Sequence, residues 1–125
     1  MMKKLNLKVL GIATAIFALV SGGASAASIS TTEFGTFTYT LSKSGSTVTA
    51  STSITSFTST TKVITALEVQ ENSTGTMLAK LTKTTTGGSS SAVSAANLTS
   101  TTLAAFSSHE ARGNSSTVKY LSSTF

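Results

Sequence analysis

Cysteine, proline, tryptophan and aspartate are all missing from this 125-residue chain, and charged residues make up 10% of it. Without cysteine there is no disulfide framework, no thiolate zinc site and no cysteine nucleophile. Without aspartate, and with His109 as the single histidine, Ser-His-Asp triads, most acid–base dyads and carboxylate-rich calcium loops fall away. No metal or cofactor is expected, and an enzyme is not the expected reading. The length suits one small domain.

What is present begins with a leader. Lys3, Lys4 and Lys8 precede an apolar run, Val9–Val20, which Ser21-Gly22-Gly23 breaks. Ala24 and Ala26 then place small residues at the two positions a signal peptidase reads, predicting cleavage before Ala27. The expected division is a secretory signal peptide over 1–26, helical in its apolar run, and one domain over 27–125. The run is too short for a stable membrane span, so none is expected after cleavage. A lysine-led leader with no lipobox cysteine points to an exported, extracellular product of a Gram-positive bacterium.

The formal charge of +5 suggests nucleic acid until the leader is set aside. Lys43, Lys62, Lys80, Lys83, Arg112 and Lys119 then face Glu33, Glu68, Glu71 and Glu110. These cations are scattered singly, without a basic stripe, so nucleic acid is not an expected partner.

Close to half of residues 27–125 are Ser or Thr. Disorder would call for high net charge, which this chain lacks. Instead, β-branched and aromatic residues recur with period two. Glu33–Leu41 and Thr47–Ile54 alternate around the turn Lys43–Ser46, which predicts a hairpin. Lys62–Gln70 and Thr76–Lys83 predict a second around Glu71–Gly75. Leu103–Arg112 and Thr117–Phe125 predict a third around Gly113–Ser116. Gly87–Ser91 reads as a loop, and Ala92–Leu103 as a loop or short helix. The predicted fold is all-β, an antiparallel sandwich or small barrel of about six to seven strands, preceded by the signal peptide helix. The expected core is Phe37, Tyr39, Leu41, Val48, Ile54, Val63, Leu67, Val69, Leu81, Phe106, Val118 and Tyr120.

The tract Ser108, His109, Glu110 and Arg112 is the candidate contact site. On a strand, His109 and Glu110 point to opposite faces and cannot act as a base and its helper. A structural role for His109, bonded across strands, is therefore expected. The hydroxyl rows Thr36-Thr38-Thr40 and Thr47–Thr55 could display an ice-binding face. Thr also simply suits the outer face of a sheet, and no fixed repeat is present. Asn72, Asn97 and Asn114 each head an Asn-x-Ser/Thr triplet and read as turn chemistry. Low charge and Thr-rich strands also admit self-assembly.

Asn72–Gly75, the strand Phe106–Arg112 and the ending Lys119–Phe125 together resemble the lactococcin 972 family of secreted bacteriocins. That resemblance implies interference with cell-wall synthesis in neighbouring bacteria. Read from its residues, the chain is expected to be non-enzymatic and to act by surface contact. Its expected partner is a cell-envelope component or a second copy, and a hydrolase is the remaining alternative.

Overall fold

Alternation along Thr47–Ile54 is strict: Val48, Ala50, Thr52 and Ile54 are buried, and the residues between them are not. The computed structural model describes residues 20, 21, 24–100 and 102–125. Within them the chain is all-β. Eight antiparallel strands lie in two sheets, and a two-residue parallel strand joins one of them. The strands are β1 (Val20–Ser21), β2 (Ala24–Thr31), β3 (Gly35–Ser44), β4 (Thr47–Ile54), β5 (Lys62–Glu71), β6 (Met77–Thr86), β7 (Ser90–Ala95), β8 (Leu103–Arg112) and β9 (Ser116–Thr124).

Sheet A runs β1-β9-β8-β5-β6 and sheet B runs β2-β3-β4-β7. The three predicted hairpins are present as β3–β4, β5–β6 and β8–β9. At the first, Gly45 supplies the positive φ of 59° that a side chain would resist. A register shift between Val69 and Gln70 places Ala79 and Met77 opposite them, leaving Leu78 as the extra residue of a bulge.

Residues from both sheets share two apolar clusters. Leu41, Val48 and Ala50 of sheet B meet Leu67, Val69 and Ala105 of sheet A. Phe34, Phe37, Tyr39 and Ile54 meet Val63 and Ala111. Buried leucines of this kind cost about 2–5 kcal/mol when cut to alanine, so Leu41 and Leu67 anchor the first cluster.

Several expectations need correction. Two strands beyond the predicted hairpins complete sheet B: β2, which begins inside the expected leader, and β7, where a loop followed by a loop or short helix was expected. The alternation of β7 is hidden because Ser and Ala carry it. Leu81 and Val118 are exposed, at 36% and 38%, and Tyr120 is half-buried. Leu81 stands on β6, the rim strand of sheet A, while Val118 and Tyr120 point away from sheet B. Phe34, not among the expected core residues, is fully buried. The Thr31 hydroxyl turns it inward, accepting from the Phe34 amide at 3.0 Å and donating to the Gly35 carbonyl at 2.9 Å. The expected leader helix lies outside the described residues.

Candidate functional site

Strand β8 separates the tract predicted to act together. Its pleat sends His109 into the space between the sheets, while Ser108, Glu110 and Arg112 face outward from sheet A. His109 is fully buried. Its Nδ1 and the Thr52 hydroxyl share a 2.8 Å hydrogen bond, and its Nε2 and the Ser107 hydroxyl share one of 2.7 Å. Thr52 continues to Thr65 at 2.7 Å, and Thr65 to the Ser91 hydroxyl at 2.5 Å. The Tyr39 ring lies beside the imidazole, centroids 5.5 Å apart. Burial pushes the His109 pKa down to about 4, against a backbone hydrogen bond at Ser51 that raises it. The ring is thus neutral at neutral pH, with one nitrogen donating and the other accepting. This histidine links strands of both sheets.

The outward face of sheet A is assembled by register. Glu68 stands opposite Phe106 on one side and Lys80 on the other. Phe106 stands opposite Ser122, Ala66 opposite Ser108, Ser108 opposite Tyr120, and Ile64 opposite Glu110. Arg112 reaches back along its own strand to Glu110, with Nη2 at 2.9 Å and Nε donating at 3.0 Å to the same oxygen. Three of the contact residues predicted on β8, Ser108, Glu110 and Arg112, therefore share one face with Glu68 and Phe106, while His109 lies on the other.

Glu68 is the unusual member. It is fully buried, and among the described residues neither carboxylate oxygen has a hydrogen-bond partner. Lys80 Nζ is 3.8 Å from Oε2. Burial raises the Glu68 pKa to about 7 despite the opposing pull of Lys80. A carboxyl poised near neutrality beside an aromatic ring is a typical perturbed group at a functional site. In sequence, Glu68 reads as one more charge on a polar strand face; only the pairing with Phe106 reveals it.

A second polar grouping closes one end of the molecule. The Glu33 carboxylate accepts from the Asn114 and Ser115 amides, both at 2.8 Å, and from the Ser115 hydroxyl at 2.6 Å. These bonds, the Ser115 hydroxyl first, hold its pKa below the usual carboxylate value. Glu33, Thr58, Thr60, Lys62, Arg112, Gly113 and Asn114 line a cleft of about 320 Å³ there. Because Glu33 is already committed to the turn, the cleft reads as a loop junction.

Among the described residues, no group of three His or Glu side chains could hold a metal ion. Nor is any helix among them long and apolar enough to cross a membrane. The expected cleavage residues lie on β2, where Ala24 pairs with Ser42, Ala26 with Thr40 and Ala27 with Tyr39. Cutting before Ala27 would keep Ala27–Thr31 paired with β3.

Neither a protein-family model, nor a curated protein, nor a solved structure matches this chain.

Proposed function

We propose that the chain is a secreted, non-enzymatic β-sandwich protein of a Gram-positive bacterium that acts by surface contact, and that the outward face of sheet A makes the contact. The observation carrying this reading is the accessible apolar side chains on a face that points away from the other sheet: Val118, 38% exposed, with half-buried Tyr120 and Ile64. Apolar and aromatic side chains left accessible together on one face suit contact with a partner. The sandwich reading draws on the two apolar clusters that the sheets share. Export draws on the leader, its Ala24 and Ala26, and the position of Ala27 within a strand that survives the cut. The expected target is a component of the cell envelope or matrix.

The test is retention of the exported protein on washed bacterial envelopes. Ile64→Glu places a charge on the face at a half-buried position, and Val118→Ser removes an exposed apolar side chain from it. Both are expected to lower retention at least tenfold, while His109→Gln, on the inner face, leaves it unchanged in whatever protein folds. Equal retention of Ile64→Glu and wild type overturns the assignment of the face. Clear zones on lawns of related bacteria would replace it with the bacteriocin activity that the sequence resemblance implies.

A further inference from the structure

The cleft at the Glu33 loop junction also gathers two cations. Lys62 opens β5 and Arg112 closes β8, and the register sets them directly opposite each other. Both line the cleft, and both are exposed. Opposed residues on neighbouring strands carry their Cβ atoms about 4.5–5.5 Å apart, where like charges repel. An opposed pair of this kind works against the sheet unless an anion lies between its members.

The carboxylates nearby are engaged elsewhere. Glu110 takes one edge of the Arg112 guanidinium, through Nε and Nη2, and leaves that side chain 55% exposed. Glu33 lines the same cleft, but its oxygens accept from the Asn114 amide, the Ser115 amide and the Ser115 hydroxyl. These three donors face its charge and hold it on the turn. Among the described residues, no carboxylate forms an ion pair with Lys62. Thr58, Thr60 and Asn114 add neutral polar groups to the lining. The threonine loop is already set: the Thr58 amide donates to the Thr61 hydroxyl at 2.9 Å, the Thr61 amide to the Thr58 carbonyl at 3.2 Å, and the Gly87 amide to the Thr61 carbonyl at 2.8 Å. Buried Thr61 thus fixes the loop, while Thr58 and Thr60 stay exposed. A lining formed beforehand lowers the ordering cost of binding.

We propose that this cleft binds a phosphate group, with Lys62 and Arg112 as its cations and Thr58, Thr60 and Asn114 as neutral donors. A carboxylate is best matched by a forked guanidinium edge, and Glu110 already holds the Nε–Nη2 edge of Arg112. A phosphate presents acceptor oxygens in several directions, which suits an ammonium, a guanidinium and hydroxyls set around one cleft. The cleft lies at one end of the outward face of sheet A, because Lys62 and Arg112 continue the rows of Ile64 and Glu110. An envelope polymer linked by phosphodiesters would meet the cleft and the apolar part of that face together. The inference rests on the contact face proposed above and gives its partner a chemistry.

The test follows the amide shifts of Lys62, Gly113 and Asn114 in the full chain made without export. Inorganic phosphate, poly(glycerol phosphate) and acetate are the probes, at one ionic strength. Phosphate and the polymer should both move these amides, and acetate at the same concentration should not. Tighter binding of the polymer per phosphate assigns the site to an envelope chain, and equal binding per phosphate assigns it to the free ion. Lys62→Gln and Arg112→Gln should each raise the half-saturating phosphate concentration about fivefold, the loss of one solvent-screened charge contact. Lys83→Gln, which removes an exposed cation from β6, should leave it unchanged. Equal weakening by Lys83→Gln, acetate binding as tight as that of phosphate, or amides that do not move overturns the site. If phosphate binds in the cleft but washed envelopes do not retain the protein, the contact reading fails and the site stands. If envelopes retain it through Ile64 and Val118 while phosphate moves none of the three amides, the site fails and the contact face stands.

Discussion

The His109 ring and the Thr52 hydroxyl meet at 2.8 Å, joining strand β8 of one sheet to β4 of the other inside the core. The hydroxyls of Ser107 and Thr65 extend this link in both directions. A buried hydrogen bond contributes about 1 kcal/mol net, but leaving a buried group without its partner costs about 1–3 kcal/mol. His109→Gln keeps a polar group in place and should cost about 1 kcal/mol. His109→Leu strands the Ser107 hydroxyl and weakens the Thr52 link, and should cost about 3 kcal/mol. At about 4–8 °C per kcal/mol for a domain of this size, thermal melting separates the two. A fully folded His109→Gln chain that had lost all contact activity would return this strand's inner face to the centre of the mechanism.

Thr52→Val tests the same network from its middle. The shape is nearly kept, while the hydroxyl shared by His109 and Thr65 is lost. The expected cost is about 1–2 kcal/mol, with no change in envelope retention. Melting with the retention assay on one preparation checks both halves.

Two buried groups shape the pH dependence of the full chain in opposite senses. His109 has a folded pKa of about 4 against an ordinary 6.5. Between these values the unfolded chain binds the extra proton, so its contribution is full above 6.5 and is lost as pH falls toward 4. Glu68 has a folded pKa of about 7 against 4.5. There the folded chain holds the extra proton, so stability falls as pH rises from 4.5 to 7. The windows overlap and offset each other, predicting a plateau between about 4.5 and 6.5. Glu68→Gln should convert it into a slope rising with pH up to about 6.5. Urea titrations at several pH values read the slope directly, and a wild-type curve rising steeply across this interval contradicts the assignment of Glu68.

Gly113 is where a close approach demands glycine. A methyl group there would run into the Glu33 carboxylate and lie 3.4 Å from the Phe34 ring. Gly113→Ala should push Glu33 off the Asn114 and Ser115 amides and cost about 1–2 kcal/mol. Amide exchange at Asn114 and Ser115 should quicken. Unchanged exchange would show that the turn holds without the carboxylate.

Export is tested by the N-terminus. Culture supernatant should contain a chain beginning at Ala27 or within a few residues of it, read by intact mass. Full-length protein held in the membrane pellet would show that Val9–Val20 serves as an anchor.

Much of the secondary structure could be read from side-chain alternation. Strands β4 and β8 have the predicted limits, since Val48, Ala50 and Ile54 or Leu103 and Arg112 mark their ends and faces. Strand β7 escaped because Ser and Ala give period two almost no hydropathy contrast. Val118 and Tyr120 are expected in the core because period two reports that a strand has two faces, not which one meets the other sheet. On β8, whose burial is continuous from Leu103 to His109, that pattern carries no sign of direction.

By itself the sequence determined the strand-forming character, the hairpin turns and the opposed directions of His109 and Glu110, because all three depend on neighbours along the chain. Tertiary structure decided that His109 joins two sheets through Thr52, and that Glu68 lies buried opposite Phe106 in the register. Those placements depend on strand order and on register between strands distant in sequence. The physical reason is that a carboxyl or an imidazole takes its pKa and its role from what excludes water around it. Residues far along the chain supply that exclusion.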